Sequence, residues 1–197
     1  MIELYDRYSQ ESRDLHESLV ATGLSQLGVV IDADGFLPDG LVSPFTYYLG
    51  YEKGKPLYFN QVPVPAFWEI SGNNQSARIE DMTEERALIH YADGMQARLV
   101  KQVDWKDMEG RVRQVDHYNR FGACFATTTH SVDSEPIMTV YQDVNGQEVL
   151  LENHVTGDIL LTLPGQSMRY FTNRVEFITF FLQDLGLDKH QIVFNTL

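Results

Sequence analysis

From Val103 to Gly122 the chain reads VDWKDMEGRVRQVDHYNRFG: β-rich runs on either side of Asp107 to Gly110, and a second turn signal at Arg120 to Gly122. Val, Trp and Tyr suit a pleated, half-buried surface, whereas Asp followed by Gly three residues later supplies an Asx-type start and a positive-φ finish. The chain is expected to double back at each signal. Similar signals recur at Ala92-Asp93-Gly94, Asp143 to Gly146 and Pro164-Gly165, so the pattern spreads over Ala77 to about Phe171 and predicts an antiparallel meander. Two hairpins share one chemistry. Trp105-Lys106-Asp107-Met108-Glu109-Gly110 aligns with Tyr141-Gln142-Asp143-Val144-Asn145-Gly146, an aromatic residue and then Asp-x-x-Gly.

The flanks read differently. Ile2 to Tyr5 predicts a strand, followed by a helix capped by Ser9, with Leu15 and Leu19 on one face and Gly23 as its stop. Val29-Val30-Ile31 is a β-branched run without polar alternation, as in a strand buried on both faces. Between Gly35 and Trp68, Pro38, Pro44, Pro56, Pro63 and Pro65 argue against helix interiors and predict a crossing loop with short extended pieces. Near the end, Asn173 with Glu176 predicts a capping box and Gly186 a stop, around a helix apolar nearly all round from Val175 to Leu185. Ile192 to Phe194 starts another strand with nothing after it to cover it, so the residues read as a piece of a longer protein. The expected fold class is α+β, with a partial α/β layer over residues 1–50, an inserted antiparallel sheet over 51–171 and a return into the layer over 172–197.

The chain has 197 residues, with 15 Lys plus Arg against 28 Asp plus Glu, a formal charge of -13. Nucleic-acid binding needs clustered cations, so this balance argues against it, and an anionic leaflet would repel the chain too. A hydrophobic content of 43% is too high for disorder, and no apolar run reaches the roughly 18 residues of a membrane helix. With Cys124 alone, neither a disulfide framework nor a thiolate cage forms within the chain; a reducing cytosol fits.

Asp32-Ala33-Asp34, just after the second strand, is the pattern that would hold Mg or Mn against a nucleotide-sugar diphosphate, although two Asp and Gly35 also make an ordinary chain turn. An EF-hand fails, since Phe36 and Leu37 stand where its ligand and glycine belong. The six histidines, His16, His90, His117, His130, His154 and His190, show no zinc spacing and read as scattered surface or hydrogen-bonded residues. Asp116 and His117 are neighbours on a strand and point to opposite faces. Cys124, in an apolar strand, reads as core packing. No phosphate-binding glycine motif appears, and the chain has no glycine before Gly23, so the first strand-to-helix turn is unsuited to a diphosphate. The Asn74-Gln75-Ser76 sequon is idle in a cytosolic protein.

Tyr8 to Leu15 (YSQESRDL), Asp34 to Tyr47 (DGFLPDGLVSPFTY), Lys53 to Ile70 (KGKPLYFNQVPVPAFWEI), Val103 to Gly122 and Glu148 to Leu160 (EVLLENHVTGDIL) together carry a resemblance, continued by Arg174 to Asn195. On these stretches the chain resembles the N-terminal part of the GtfB family, the non-catalytic glycosylation chaperones of the accessory Sec system in Gram-positive bacteria. The resemblance implies a GT-B glycosyltransferase architecture whose first Rossmann-like half carries an inserted β-sheet domain. It also implies a GtfA partner that transfers N-acetylglucosamine to serine-rich repeat adhesins, acceptor binding by this family, and no cofactor. A hetero-oligomer in the cytoplasm, at most peripheral to the membrane's inner face, is the expected assembly. An open meander leaves edge strands that suit a protein partner. Tyr58, Phe59, Trp68 and Trp105 are the aromatics expected at a partner or acceptor surface, with ordinary core packing as the plainer reading. The alternatives are a metal-dependent glycosyltransferase using Asp32 and Asp34, and a stand-alone carbohydrate-binding β module.

Overall fold

The structure, a computed structural model, describes residues 2–24, 27–92, 97–187 and 192–195. Four strands, β1 (Ile2–Tyr5), β2 (Leu27–Val30), β3 (Leu41–Val42) and β14 (Ile192–Asn195), form a parallel sheet in the order β14-β1-β2-β3. The unbroken apolar reading of β2 is matched by burial, since Gly28, Val29 and Val30 are all buried. Helix α1 (Gln10–Ala21) joins β1 to β2; Ser9 caps it by accepting from the Ser12 amide at 3.2 Å, and Gly23 follows with φ 69°. Its buried residues are Ser12 and His16, while Leu15 and Leu19 are half-buried. His16 turns inward because Glu3, itself 3% exposed, meets its Nδ1 at 2.8 Å and also accepts from the Tyr5 hydroxyl.

The crossing segment contains more structure than its prolines suggest. Leu41–Val42 pairs in parallel with β2, and α2 (Pro44–Tyr47) begins on Pro44. Proline fits there because the first helical position has no amide partner to lose. Ser43 caps α2 from the Phe45 amide and donates its hydroxyl to the Asp32 carbonyl at 2.9 Å, tying this turn to the end of β2. Further on, a short 3-10 turn covers Phe59–Gln61. Gly54 and Gly122 lie back to back: a Cβ on Gly54 would strike the Phe121 carbonyl, and one on Gly122 the Lys55 carbonyl. Both have positive φ, so no side chain fits either requirement.

The remaining ten strands make one antiparallel meander in which each strand pairs with its sequence neighbour, from β4 (Glu69–Gly72) to β13 (Arg169–Phe171). Asp107 and Asp143 do the same work at their hairpins: each carboxylate accepts from the amide two residues on, and Gly110 and Gly146 have φ 77° and 76°. Of the expected turn at Ala92-Asp93-Gly94, Asp93 and Gly94 lie outside the described residues. The buried face switches midway. In β5 to β7 (Ser76–Asp81, Glu84–Tyr91, Val100–Lys106) the side chains of Ala77, Ile79, Ala87, Ile89 and Val103 are buried beneath Leu57, Phe59, Val62 and Val64. In β10 to β13 (Pro136–Gln142, Glu148–Asn153, Ile159–Leu161, Arg169–Phe171) the opposite face, carrying Tyr141, Leu150, Ile159, Leu161 and Phe171, packs against Phe45, Leu49 and Phe177. Helix α3 (Arg174–Asp184) supplies that cover.

Two readings of α3 need correction. The Asn173 side chain accepts from the Glu176 amide as expected, but the Glu176 carboxylate closes on the Thr172 amide at 2.9 Å and not on Asn173. The helix also buries one stripe only. Phe177 and Phe181 are fully buried, one against the meander and one against β1 and β2, while Val175 is 72% exposed. A single stripe suffices because the helix sits between two sheets that meet the same face at different heights.

Candidate functional site

Where the buried face switches, the sheet is neither wholly polar nor wholly apolar. Strand β8 (Val112–Tyr118) buries Val115 on one face and Tyr118 on the other. On the Val115 face, β8, β9 (Cys124–His130), β10 and β11 place His117, Thr128, Thr139 and, just past β11, His154 side by side. These four side chains form one continuous hydrogen-bonded chain: His117 Nε2 to Thr128 Oγ1 at 2.9 Å, Thr128 Oγ1 to Thr139 Oγ1 at 2.8 Å, and Thr139 Oγ1 to His154 Nε2 at 2.8 Å. The chain lines an open pocket of about 330 Å3 that Asp32, Ala33 and Arg174 also line. His130 lines it too, and its Nδ1 is buried with no hydrogen-bond partner among the described residues.

Burial sets the protonation here. It lowers the His117 imidazole to about 4 and lowers His154 as well, so both rings are neutral near pH 7. His90, in the same cross-strand row as His117 with Gln102 between them, goes the other way: its hydrogen bond to Asp104 at 2.7 Å raises it. The cavity wall is charged but internally paired. Arg174 donates Nε to Glu152 Oε1 at 2.6 Å and Nη1 to Asp32 Oδ1 at 3.1 Å, while its guanidinium lies 4.7 Å from the Phe45 ring centre. One arginine thus links the meander, the end of β2 and the start of α3.

This arrangement reassigns the acidic pair. Asp32 is held by Arg174, and Asp34 accepts from the Phe36 amide and from Lys101 Nζ at 3.2 Å. The two carboxylates face different cations, and no group of three metal-ligating side chains occurs among the described residues. Asp116 and His117 point to opposite faces: Asp116 accepts from the Trp105 indole at 2.7 Å, His117 meets Thr128. Burial pushes the Cys124 thiol up to about 11, leaving it a small core residue. Phe59, Trp68 and Trp105 pack half-buried over the first half of the meander, and Tyr58 lies tilted against Phe59, ring centres 4.9 Å apart, with 37% of its surface exposed. These aromatics stand together, apart from the cavity. His130, His117 and His154 are the residues that spacing missed, because only strand register brings them together. His190 lies outside the described residues.

A family model described as the GtfB middle domain matches residues 68–172, and one described as the GtfB N-terminal domain matches residues 2–48. The chain is 88% identical, over 197 residues, to a UDP-N-acetylglucosamine--peptide N-acetylglucosaminyltransferase stabilizing protein GtfB of Streptococcus pneumoniae. It is 54% identical, over 199 residues, to the protein of that name in Streptococcus gordonii. Each match takes in all of this chain and 44% of the relative, so the chain spans less than half the length of these curated relatives. Among solved structures, a GtfA/B complex bound to UDP and GlcNAc contains a chain that matches with a TM-score of 0.94 and 54% identity, over 100% of this chain and 44% of its own. With the middle-domain model alone covering more than half of its residues, the chain belongs to the GtfB family.

Proposed function

We propose that this chain stabilises a GtfA-type O-GlcNAc transferase and presents a serine-rich repeat adhesin to it, acting by contact and not by catalysis. The observation that carries the reading is the 88% identity, along the whole chain, to a protein named for stabilising such a transferase. Physical features support it. The meander ends in two edge strands, β4 and β13, whose backbone groups suit strand addition by a partner or an extended acceptor. Asp32 and Asp34 are engaged by Arg174 and Lys101, which favours a joint over a donor-sugar metal site.

The strand order β3-β2-β1-β14 is the 3-2-1-4 order of a doubly wound α/β half, and the meander enters between β3 and β14. We therefore read the parallel layer as the first Rossmann-like half of a GT-B fold, with 1–50 and 172–197 on either side of an insertion at 51–171. Tyr58, Phe59, Trp68 and Trp105 form the aromatic surface we assign to partner or acceptor contact, Tyr58 being the most exposed. We place its action in the cytoplasm; the charge of -13 disfavours direct contact with an anionic membrane face, so any such contact is made through other proteins. The test is co-purification with GtfA followed by transfer from UDP-N-acetylglucosamine to a serine-rich peptide. The reading expects a stable complex and faster transfer; failure both to bind GtfA and to compete with full-length GtfB overturns it.

A further inference from the structure

Two turns at one end of the meander place a large apolar residue where the backbone suits glycine. The Trp68 amide donates to the Pro65 carbonyl at 3.2 Å, closing a turn whose third residue, Phe67, has φ 72°. Glycine or asparagine is the usual occupant of a positive φ at that position, because a bulky side chain is strained there. Between β5 and β6, Asp81 pairs with Glu84 across Met82 and Thr83, and Met82 has φ 58°. The first central residue of a two-residue hairpin is again glycine's place when its φ is positive. Packing explains neither choice, since Phe67 is 98% exposed and Met82 93%. Strain kept at fully exposed apolar residues points to a use outside the fold.

The two residues are neighbours. The register Ile70↔Ile79 and Glu69↔Glu80, counted on by two, sets Phe67 level with Met82. Met108, 74% exposed in the β7 to β8 turn, joins the same corner: Arg86 donates Nη1 to its Sδ at 2.7 Å and lies 3.5 Å from Asp81 through Nη2. This corner is at the free end of the strands. The alternate turns face the other way and meet the segments after β2 and α2, the Arg120 amide donating to Gly35 and the Val144 amide to Leu49.

The rim of the corner decides what fits it. Glu69, Glu84 and Glu109 are exposed around the apolar tips. An anionic leaflet, or a second copy of a chain of charge -13, would meet these carboxylates with like charge. A serine-rich peptide brings small polar side chains and no pocket for a phenyl ring. A folded protein with an apolar pocket edged by Lys or Arg matches both the tips and the rim.

We infer that Phe67 and Met82 form an apolar prong that enters a cation-edged pocket on the GtfA-type transferase. The assignment rests on the stabilising reading above and supplies it with a contact, placed directly before Trp68. The phenyl ring is the anchor, and the flexible thioether of Met82 fits itself to the pocket wall.

The test replaces each residue by glycine in the intact chain, because glycine removes the side chain and relieves the backbone together. Phe67→Gly and Met82→Gly are expected to leave the unfolding midpoint unchanged or higher. Affinity for GtfA, read by calorimetry, should fall at least tenfold for Phe67→Gly and several-fold for Met82→Gly. A merely structural role would not separate these two readouts. Val20→Ala, at an exposed position on α1, should leave the affinity unchanged, and added salt should weaken wild-type association. Unchanged affinity in both glycine variants overturns the contact. Should they instead lose binding to a serine-rich peptide or to phosphatidylglycerol vesicles while keeping GtfA, the prong belongs to that ligand and the assignment fails. A wild-type chain that does not bind GtfA at all overturns the stabilising role together with this contact.

Discussion

Follow one cross-strand row through the meander: Ala77, Ile89 and Val103 are buried, Asp116 and Thr127 are half-buried, and Val140, Leu151 and Leu160 end at Tyr170, which is 60% exposed. The row on the opposite face runs the other way, from exposed Arg78 through Val115, Thr128, Thr139 and Glu152 to buried Ile159 and Phe171. A sheet covered on one face by a proline-rich segment and on the other by a helix must cross over somewhere, and it does so at β8 and β9. Apolar layers are thinnest there. That is where the polar chain, the cavity and the Arg174 joint collect, so the site is a consequence of how the two covers are arranged.

Paired truncations sharpen this comparison most. Ile89→Ala in the first half and Leu150→Ala in the second should each cost about 2–5 kcal/mol by chemical denaturation, since both are buried. Their sequence neighbours Leu88→Ala and Leu151→Ala, half-exposed on the alternate faces, should cost about 1 kcal/mol or less. Equal costs at all four would mean that the faces do not switch.

The joint comes next. Arg174→Ala leaves the Glu152 carboxylate, 5% exposed, without its cation and should cost about 3 kcal/mol. Adding Glu152→Gln should recover much of that loss, a coupling that a double-mutant cycle reads directly. An additive pair would remove Arg174 from its role between the sheets.

A third difference is in pH response. His117 titrates at about 4 when folded and near 6.5 when unfolded, so between those values the unfolded chain binds the extra proton. Stability should therefore fall by about 2–3 kcal/mol as pH drops from 6.5 towards 4, and His117→Gln should flatten that fall. His90 has the opposite sign. Its raised pKa gives stabilisation that is present below its unfolded value and lost as pH rises through the folded one, an effect kept small by solvent at this exposed pair. Denaturation of His117→Gln and of His90→Gln at pH 7 and pH 5 separates the contributions. The smallest effect is at the matched hairpins, where Asp107→Ala and Asp143→Ala should each lower the unfolding midpoint slightly and by similar amounts.

Local chemistry was legible in the sequence. Ser9, Gly23, Asn173, Gly186 and the Asp-x-x-Gly hairpins act as their residue types require, because each depends on atoms within a few residues. The unalternated β2 also announced its burial. What stayed hidden depended on partners far along the chain. Pro44 reads as a breaker until it is known to occupy the first position of α2, and α3 looks buried all round until two sheets are seen to share one stripe. The candidate site was least legible. His117, His130 and His154 are separated by turns of unequal length, and no spacing rule links them; only the register of β8 to β11 does. Asp32, by contrast, stood out in sequence for metal chemistry and is occupied by Arg174, a residue far away in the chain.

The claim that this chain works by lending a surface is tested most directly by following the thermal unfolding of a GtfA transferase alone and with increasing amounts of the chain, in parallel with UDP release from UDP-N-acetylglucosamine. The account predicts a transferase midpoint that rises with chain concentration, as mass action requires of a partner that binds the folded state, and no UDP release by the chain on its own. An unmoved midpoint, or steady UDP release by the chain without the transferase, would contradict it.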